Sequence, residues 1–145
     1  MTLAPEPAGD AVRTDYATLG YTLGTHPLKL LRRQLATRRA CLARDVKALP
    51  PGSRVRAAGL VNLRQRPSTA SGTTFITLED ESGWLNVIVW ERLGERQRRV
   101  LLESQLLAID GVFESADGVS HVIAHELHDW SAMLQGLDSR SRDFH

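Results

Sequence analysis

Between residues 64 and 90 the chain carries Arg64, Arg66, Phe75, Thr77, Trp84, Asn86 and Trp90 in segments where apolar and polar residues alternate. An aromatic ring gives an unstacked base a face to lie on, an amide or hydroxyl can hydrogen-bond a base edge, and a planar guanidinium suits a phosphate. Stacking of this kind is worth roughly 1 to 3 kcal/mol per base. The combination points to binding of single-stranded nucleic acid rather than to bond making. Two plainer roles stay open. Phe75 and Trp90 could cover the ends of a barrel or pack under a helix, and Trp84 borders a turn, where a ring can be exposed without binding anything.

The other reactive side chains do not assemble into a catalytic site. His121 and His125 share a strand face, but four residues of strand separate them by about 13 Å, too far for one metal ion, and His128 lies further along. Glu79, Asp80 and Glu81 form an acidic turn, expected to be solvated. Cys41, the single cysteine, sits among leucines and is expected to pack rather than react. No Ser-His-Asp arrangement, glycine-rich phosphate loop or paired-cysteine motif is present. No catalytic residue, metal or cofactor is therefore expected.

The net charge of +1 conceals an asymmetry. From Lys29 to Arg66 there are 11 basic residues and one acid, Asp45, out of chain totals of 18 and 17. Sixteen of the 18 are arginine. A composition bias would enrich arginine everywhere, so its clustering is the informative part, and it favours a polyanionic partner. No apolar run approaches the roughly 18 residues of a membrane span, and a soluble cytoplasmic protein is expected.

The elements that must position these groups follow from periodicity. Residues 1–15 read as a disordered leader and 16–52 as a helical leader segment. Pro27 opens an amphipathic helix on which Leu28, Leu31, Leu35 and Leu42 recur at helical spacing, with Arg32, Arg33 and Arg39 on its polar side. Pro50, Pro51 and Gly52 end it. Alternation then predicts five strands over Val55 to Arg64, Thr73 to Glu79, Trp84 to Trp90, Leu106 to Glu114 and Val119 to Glu126. A short helix is predicted through Leu93, Arg96, Val100 and Leu101. Five strands with a helix between the third and fourth is the element order of the OB fold, so a mainly β barrel is expected over residues 53–128, with a C-terminal helix or tail over 129–145. Gly59 and Gly111 lie inside strands, where glycine is expected at a sharp bend or close backbone approach. On strand two Ile76 and Leu78 should point inward and Phe75 and Thr77 outward. On strand three Leu85, Val87 and Val89 should be core, leaving Trp84, Asn86, Ile88 and Trp90 outside.

Three stretches are also familiar. Leu19-Gly20-Tyr21-Thr22-Leu23-Gly24-Thr25-His26-Pro27-Leu28 resembles the segment that follows the helix-hairpin-helix region of bacterial C-family DNA polymerases of the alpha-subunit type. Arg66 to Gly72, leading into Phe75-Ile76-Thr77-Leu78-Glu79-Asp80-Glu81-Ser82-Gly83, resembles the opening of their OB domain. The ending Ser139-Arg140-Ser141-Arg142-Asp143-Phe144-His145 resembles the C-terminus of the error-prone branch used in damage tolerance. The resemblance implies a C-terminal region without the catalytic palm, so no nucleotidyl transfer by this chain alone. It also implies single-stranded template DNA as ligand, for which the strand-face reading supplies Arg64, Arg66, Phe75, Thr77, Trp84 and Asn86 as contacts. Phe75, Asn86 and Arg64 match the pattern of OB anticodon-binding domains as well. A second reading is a protein-docking module, in which Arg140, Arg142, Phe144 and His145 recruit other subunits of a damage-tolerance polymerase complex.

Overall fold

The computed structural model describes residues 25–67 and 72–143, with 138–143 described by their backbone. The expected leader over 1–15, the first part of the helical leader and the last two residues lie outside the described residues.

Alternation of apolar side chains produces five strands: β1 (Arg54–Gln65), β2 (Thr74–Asp80), β3 (Gly83–Val89), β4 (Leu106–Ala116) and β5 (Val119–Asp129). They close into a barrel in the order β1-β2-β3-β5-β4, which is the OB arrangement. Closure depends on β1 serving two neighbours. Arg54 to Leu60 pairs with β4 and Leu60 to Gln65 with β2, both antiparallel. A short parallel seam, Val87 with Val122 and Ile88 with Ile123, joins β3 to β5.

Both strand glycines sit where another backbone comes close. A Cβ at Gly59 would lie 2.8 Å from Leu78 Cβ and 3.0 Å from the Glu79 nitrogen, beside the residue where β1 passes from one partner to the other. At Gly111 a Cβ would lie 2.2 Å from the Ile123 carbonyl oxygen, next to the register shift between β4 and β5. Ile76, Leu78, Leu85, Val87, Val89, Ile109, Phe113 and Val122 fill the barrel.

Between β3 and β4 the chain forms two short helices rather than one, α4 (Glu91–Arg96) and α5 (Arg98–Glu103). Gln97 breaks them at φ −117°, ψ 41°. Its side-chain amide donates to the Leu127 carbonyl and accepts from the Leu127 N–H, both at 2.8 Å, so it pairs with β5 as a peptide unit would. Leu93 and Leu101 join the barrel core from these helices.

The leader also departs from a single helix. It is divided into α1 (Pro27–Leu30), α2 (Arg32–Thr37) and α3 (Ala43–Lys47). Pro27 begins α1 as expected, and the ring Nδ1 of His26 accepts from the Leu28 N–H at 3.1 Å. After α2, Arg39 takes a left-handed conformation (φ 66°), and Cys41 extends to donate its N–H to the Arg56 carbonyl at 2.7 Å. Pairing with β1 therefore wins over continued helix. Leu28, Leu31 and Leu35 still share one face. They bury against Ala58, Leu60, Leu106 and Ala108 on the outside of β1 and β4, together with Leu134 and Leu137 of α6 (Ala132–Asp143). Leu42 is half-buried and stands outside that cluster. No helix among the described residues is long and apolar enough to cross a membrane.

Candidate nucleic-acid interface

The pairing of β2 with β3 sets the geometry of the outer face. Phe75 lies opposite Ile88, Thr77 opposite Asn86, and Glu79 opposite Trp84. Residues directly opposite in an antiparallel pair point to the same side, so these form three rows on one surface. From β1, Gln65 extends the Phe75 row and Leu63 the Thr77 row. Between these positions the inward residues Ile76, Leu78, Leu85 and Val87 are buried, as alternation requires. The outward ones are open: Phe75 is 38%, Leu63 48% and Trp84 54% exposed. Asn86 is exposed and Thr77 half-buried beside it. An aromatic ring and a hydroxyl–amide pair thus share one accessible surface, which suits a stacked base whose edge is read from the side.

Arg64 does not belong to that surface. It pairs with the buried Ile76 and reaches the other way, where its Nε donates to the Leu101 carbonyl at 2.7 Å and its Nη2 to the Ser104 carbonyl. The guanidinium thereby satisfies carbonyls at the C-terminal end of α5, where helical carbonyls lack partners. Arg66, by contrast, is exposed. Both line a groove of about 220 Å³ bounded by Glu91, Glu95 and Arg98 of the α4–α5 segment. Trp90 precedes α4 as its N-terminal cap residue and is 51% exposed, so it is not packed under the helix.

The acidic turn beside Trp84 is built into the fold rather than solvated. Asp80 is buried, and its carboxylate accepts from the Ala43 N–H (2.8 Å), the Ser82 N–H (2.8 Å) and hydroxyl (2.7 Å), and the Gly83 N–H (3.1 Å). Glu81 takes two hydrogen bonds from Arg32, Nε to Oε2 at 2.7 Å and Nη2 to Oε1 at 2.8 Å. Burial pushes the Glu81 carboxyl up, but the Arg32 hydrogen bonds and the charges of Arg32 and His26 outweigh it and hold it below the ordinary value. This network fastens the leader to the β2–β3 turn and so fixes Trp84 at the edge of the face.

A second network lies on the β1–β4–β5 side. Asp110 accepts from Arg56 Nε at Oδ1 (2.6 Å) and from Nη2 at Oδ2 (3.0 Å), and the His128 Nε2 lies 2.9 Å from the same Oδ2. The Arg56 hydrogen bonds hold the Asp110 carboxyl below its usual range against the opposing effect of burial, with His128 adding to them. His128 stacks on Trp130, and the Arg38 guanidinium sits 4.9 Å from the Trp130 ring centroid. Four members of the basic cluster, Arg32, Arg38, Arg56 and Arg64, thus have structural partners, whereas Arg33, Arg39, Lys47 and Arg54 are exposed. Leu63 is not among the residues expected on the outer face, because its outward phase on strand one is readable only once the register is known.

Of the C-terminal residues, Arg140 and Arg142 fall on the backbone of α6, in the stretch without described side chains, and Phe144 and His145 lie outside the described residues.

No family model matches the chain. It is 59% identical over 137 residues to an error-prone DNA polymerase of Pseudomonas paraeruginosa, covering 94% of this chain and 13% of that protein. It is 54% identical over 144 residues to an error-prone DNA polymerase of Pseudomonas savastanoi pv. phaseolicola, covering 99% of this chain and 14% of that one. Among solved structures, asparaginyl-tRNA synthetase from Pyrococcus horikoshii complexed with asparaginyl-adenylate superposes with a TM-score of 0.51 at 21% identity. That match covers 63% of this chain and 22% of the synthetase, and it shows a shared fold. In sequence, the chain is a homologue of the C-terminal segment of bacterial error-prone DNA polymerases and spans a small part of their length.

Proposed function

We propose that residues 53–128 bind single-stranded DNA across the outer face of β1, β2 and β3, and that in an error-prone polymerase this is the template strand during translesion synthesis. The observation that carries the reading is the row geometry: exposed Phe75 stands one row from the Thr77–Asn86 pair, with Trp84 one row beyond. Phe75 and Trp84 offer stacking surfaces, Thr77 and Asn86 hydrogen-bond base edges, and exposed Arg66 holds a phosphate where β1 leaves the barrel. Arg64 has a supporting role, because its guanidinium is committed to α5. The polymerase homology supports DNA as the nucleic acid, and the chain contributes binding rather than catalysis. Fluorescence anisotropy of a labelled oligo-dT tests this. Affinity should fall steeply with added salt and drop by about tenfold in Phe75→Ala. Binding that ignores both salt and Phe75 would remove the proposal.

A further inference from the structure

Three acids follow one another at the end of β2, and the fold uses two of them. Asp80 and Glu81 are engaged by the bonds described above. Glu79 is different. His26 lies close enough to feel its charge, but among the described residues none donates a hydrogen bond to the Glu79 carboxylate or forms an ion pair with it. Alternation turns Glu79 outward with Phe75 and Thr77, and it is half-buried. Toward β1 it stands opposite Leu60, which is covered by Leu28 and Leu31 of the leader. Toward β3 it stands opposite the exposed Trp84. Glu79 therefore marks the line where the leader ends and the open face begins, two residues, or about 6.6 Å, along β2 from the Thr77–Asn86 row.

A carboxylate on a face that takes a polyanion repels phosphate, so it favours a base edge over the backbone at its own row. Base edges differ in what they offer it. Cytosine, adenine and guanine carry exocyclic amino donors, whereas thymine and uracil present an N3–H between two carbonyl oxygens that repel a carboxylate. Directly opposite residues of an antiparallel pair have Cβ atoms about 4.5 to 5.5 Å apart, so a base lying on the Trp84 indole brings its edge to Glu79. We propose that Glu79 is a specificity-determining residue of this face, accepting a hydrogen bond from the amino group of a base stacked on Trp84 and so selecting cytosine, adenine or guanine over thymine or uracil at that row. This rests on the reading of the β1–β3 face given above and adds a base preference to it.

The test compares oligo-dC with oligo-dU of one length, which differ only on the base edge, by anisotropy on the 145-residue chain above neutral pH. The unsubstituted chain should bind oligo-dC about 5- to 10-fold more tightly. Phe75→Ala should weaken both. Glu79→Gln should bring the ratio below about twofold, chiefly by strengthening oligo-dU binding, because an amide can donate to the uracil O4 as well as accept. Thermal unfolding by circular dichroism checks each fold, and Glu79→Ala, which should also collapse the ratio, serves as a second replacement should Glu79→Gln not fold. If Glu79→Gln raises affinity for both oligonucleotides equally and leaves the ratio in place, the carboxylate acts only as a charge and the selectivity is not its own. If Phe75→Ala weakens binding while the unsubstituted chain holds oligo-dC and oligo-dU equally, the base preference is wrong and the β1–β3 reading stands. If neither oligonucleotide shows salt-sensitive binding, both fall.

Discussion

Arg32 and Glu81 face each other through two hydrogen bonds of 2.7 and 2.8 Å, and this pair joins the helical leader to the turn between β2 and β3. Its contribution to stability depends on pH in a defined direction. The Glu81 carboxyl titrates lower in the folded chain than its ordinary value of 4.5. The stabilisation is therefore complete above about pH 4.5 and disappears as pH falls through the lower folded value. With both side chains largely but not fully buried, the pair is worth about 1 to 2 kcal/mol, between exposed and buried ion pairs. Melting curves of the unsubstituted chain and Glu81→Gln should differ at pH 7 and converge as pH falls through the lowered folded value. A constant difference across that range would show that the pair does not act through Glu81 ionisation.

Asp80 is the more sensitive position. Its replacement by alanine leaves the N–H group of Ala43 without its acceptor in a buried setting and those of Ser82 and Gly83 in a half-buried one. At about 1 kcal/mol or more per orphaned donor, Asp80→Ala should cost at least roughly 3 kcal/mol in chemical denaturation. A loss under 1 kcal/mol would mean that water replaces the carboxylate.

Gly111→Ala tests the barrel closure. The added methyl would lie 2.2 Å from the Ile123 carbonyl oxygen and 3.0 Å from the Ala124 Cα, and these backbone atoms cannot swing aside as a side chain could. A destabilisation of about 2 to 4 kcal/mol is expected, whereas Gly118→Ala, at a turn with open space around it, should cost about 1 kcal/mol through its positive φ of 79°. Equal effects at the two sites would contradict the close approach.

Much of this architecture was legible in the sequence because strand alternation is a local signal. The five strands fall within a few residues of their expected ends, and the inward set on β2 and β3 is the expected one. Two things were not legible. The leader's leucine spacing predicted its buried face but not its breaks, since the left-handed turn at Arg39 and the pairing of Cys41 with β1 are set by tertiary contact. Arg64 was misplaced for a related reason. Simple alternation from Val55 and Ala57 puts it outside, but the register shift between Val61 and Leu63 reverses the phase, turning Leu63 and Gln65 outward and Arg64 toward α5.

That reversal separates the two arginines experimentally. Arg64→Ala should lower stability by about 1 to 2 kcal/mol, having lost two charge-assisted bonds to carbonyls, while oligonucleotide affinity of the folded protein changes less than about twofold. Arg66→Ala should do the opposite, leaving the melting temperature in place and reducing the salt slope by about one. Affinity loss in Arg64→Ala without loss of stability would return that residue to the binding surface.

Amide chemical-shift mapping by NMR reads out where DNA touches the chain. On titration with oligo-dT, the largest perturbations should cluster at Phe75, Thr77, Trp84 and Asn86 and at the end of β1, with little change at Ala58, Ala108 or Leu134 beneath the helical leader. Perturbations confined to the α4–α5 groove, or none at saturating oligonucleotide, would rule out DNA binding on the β1–β3 face.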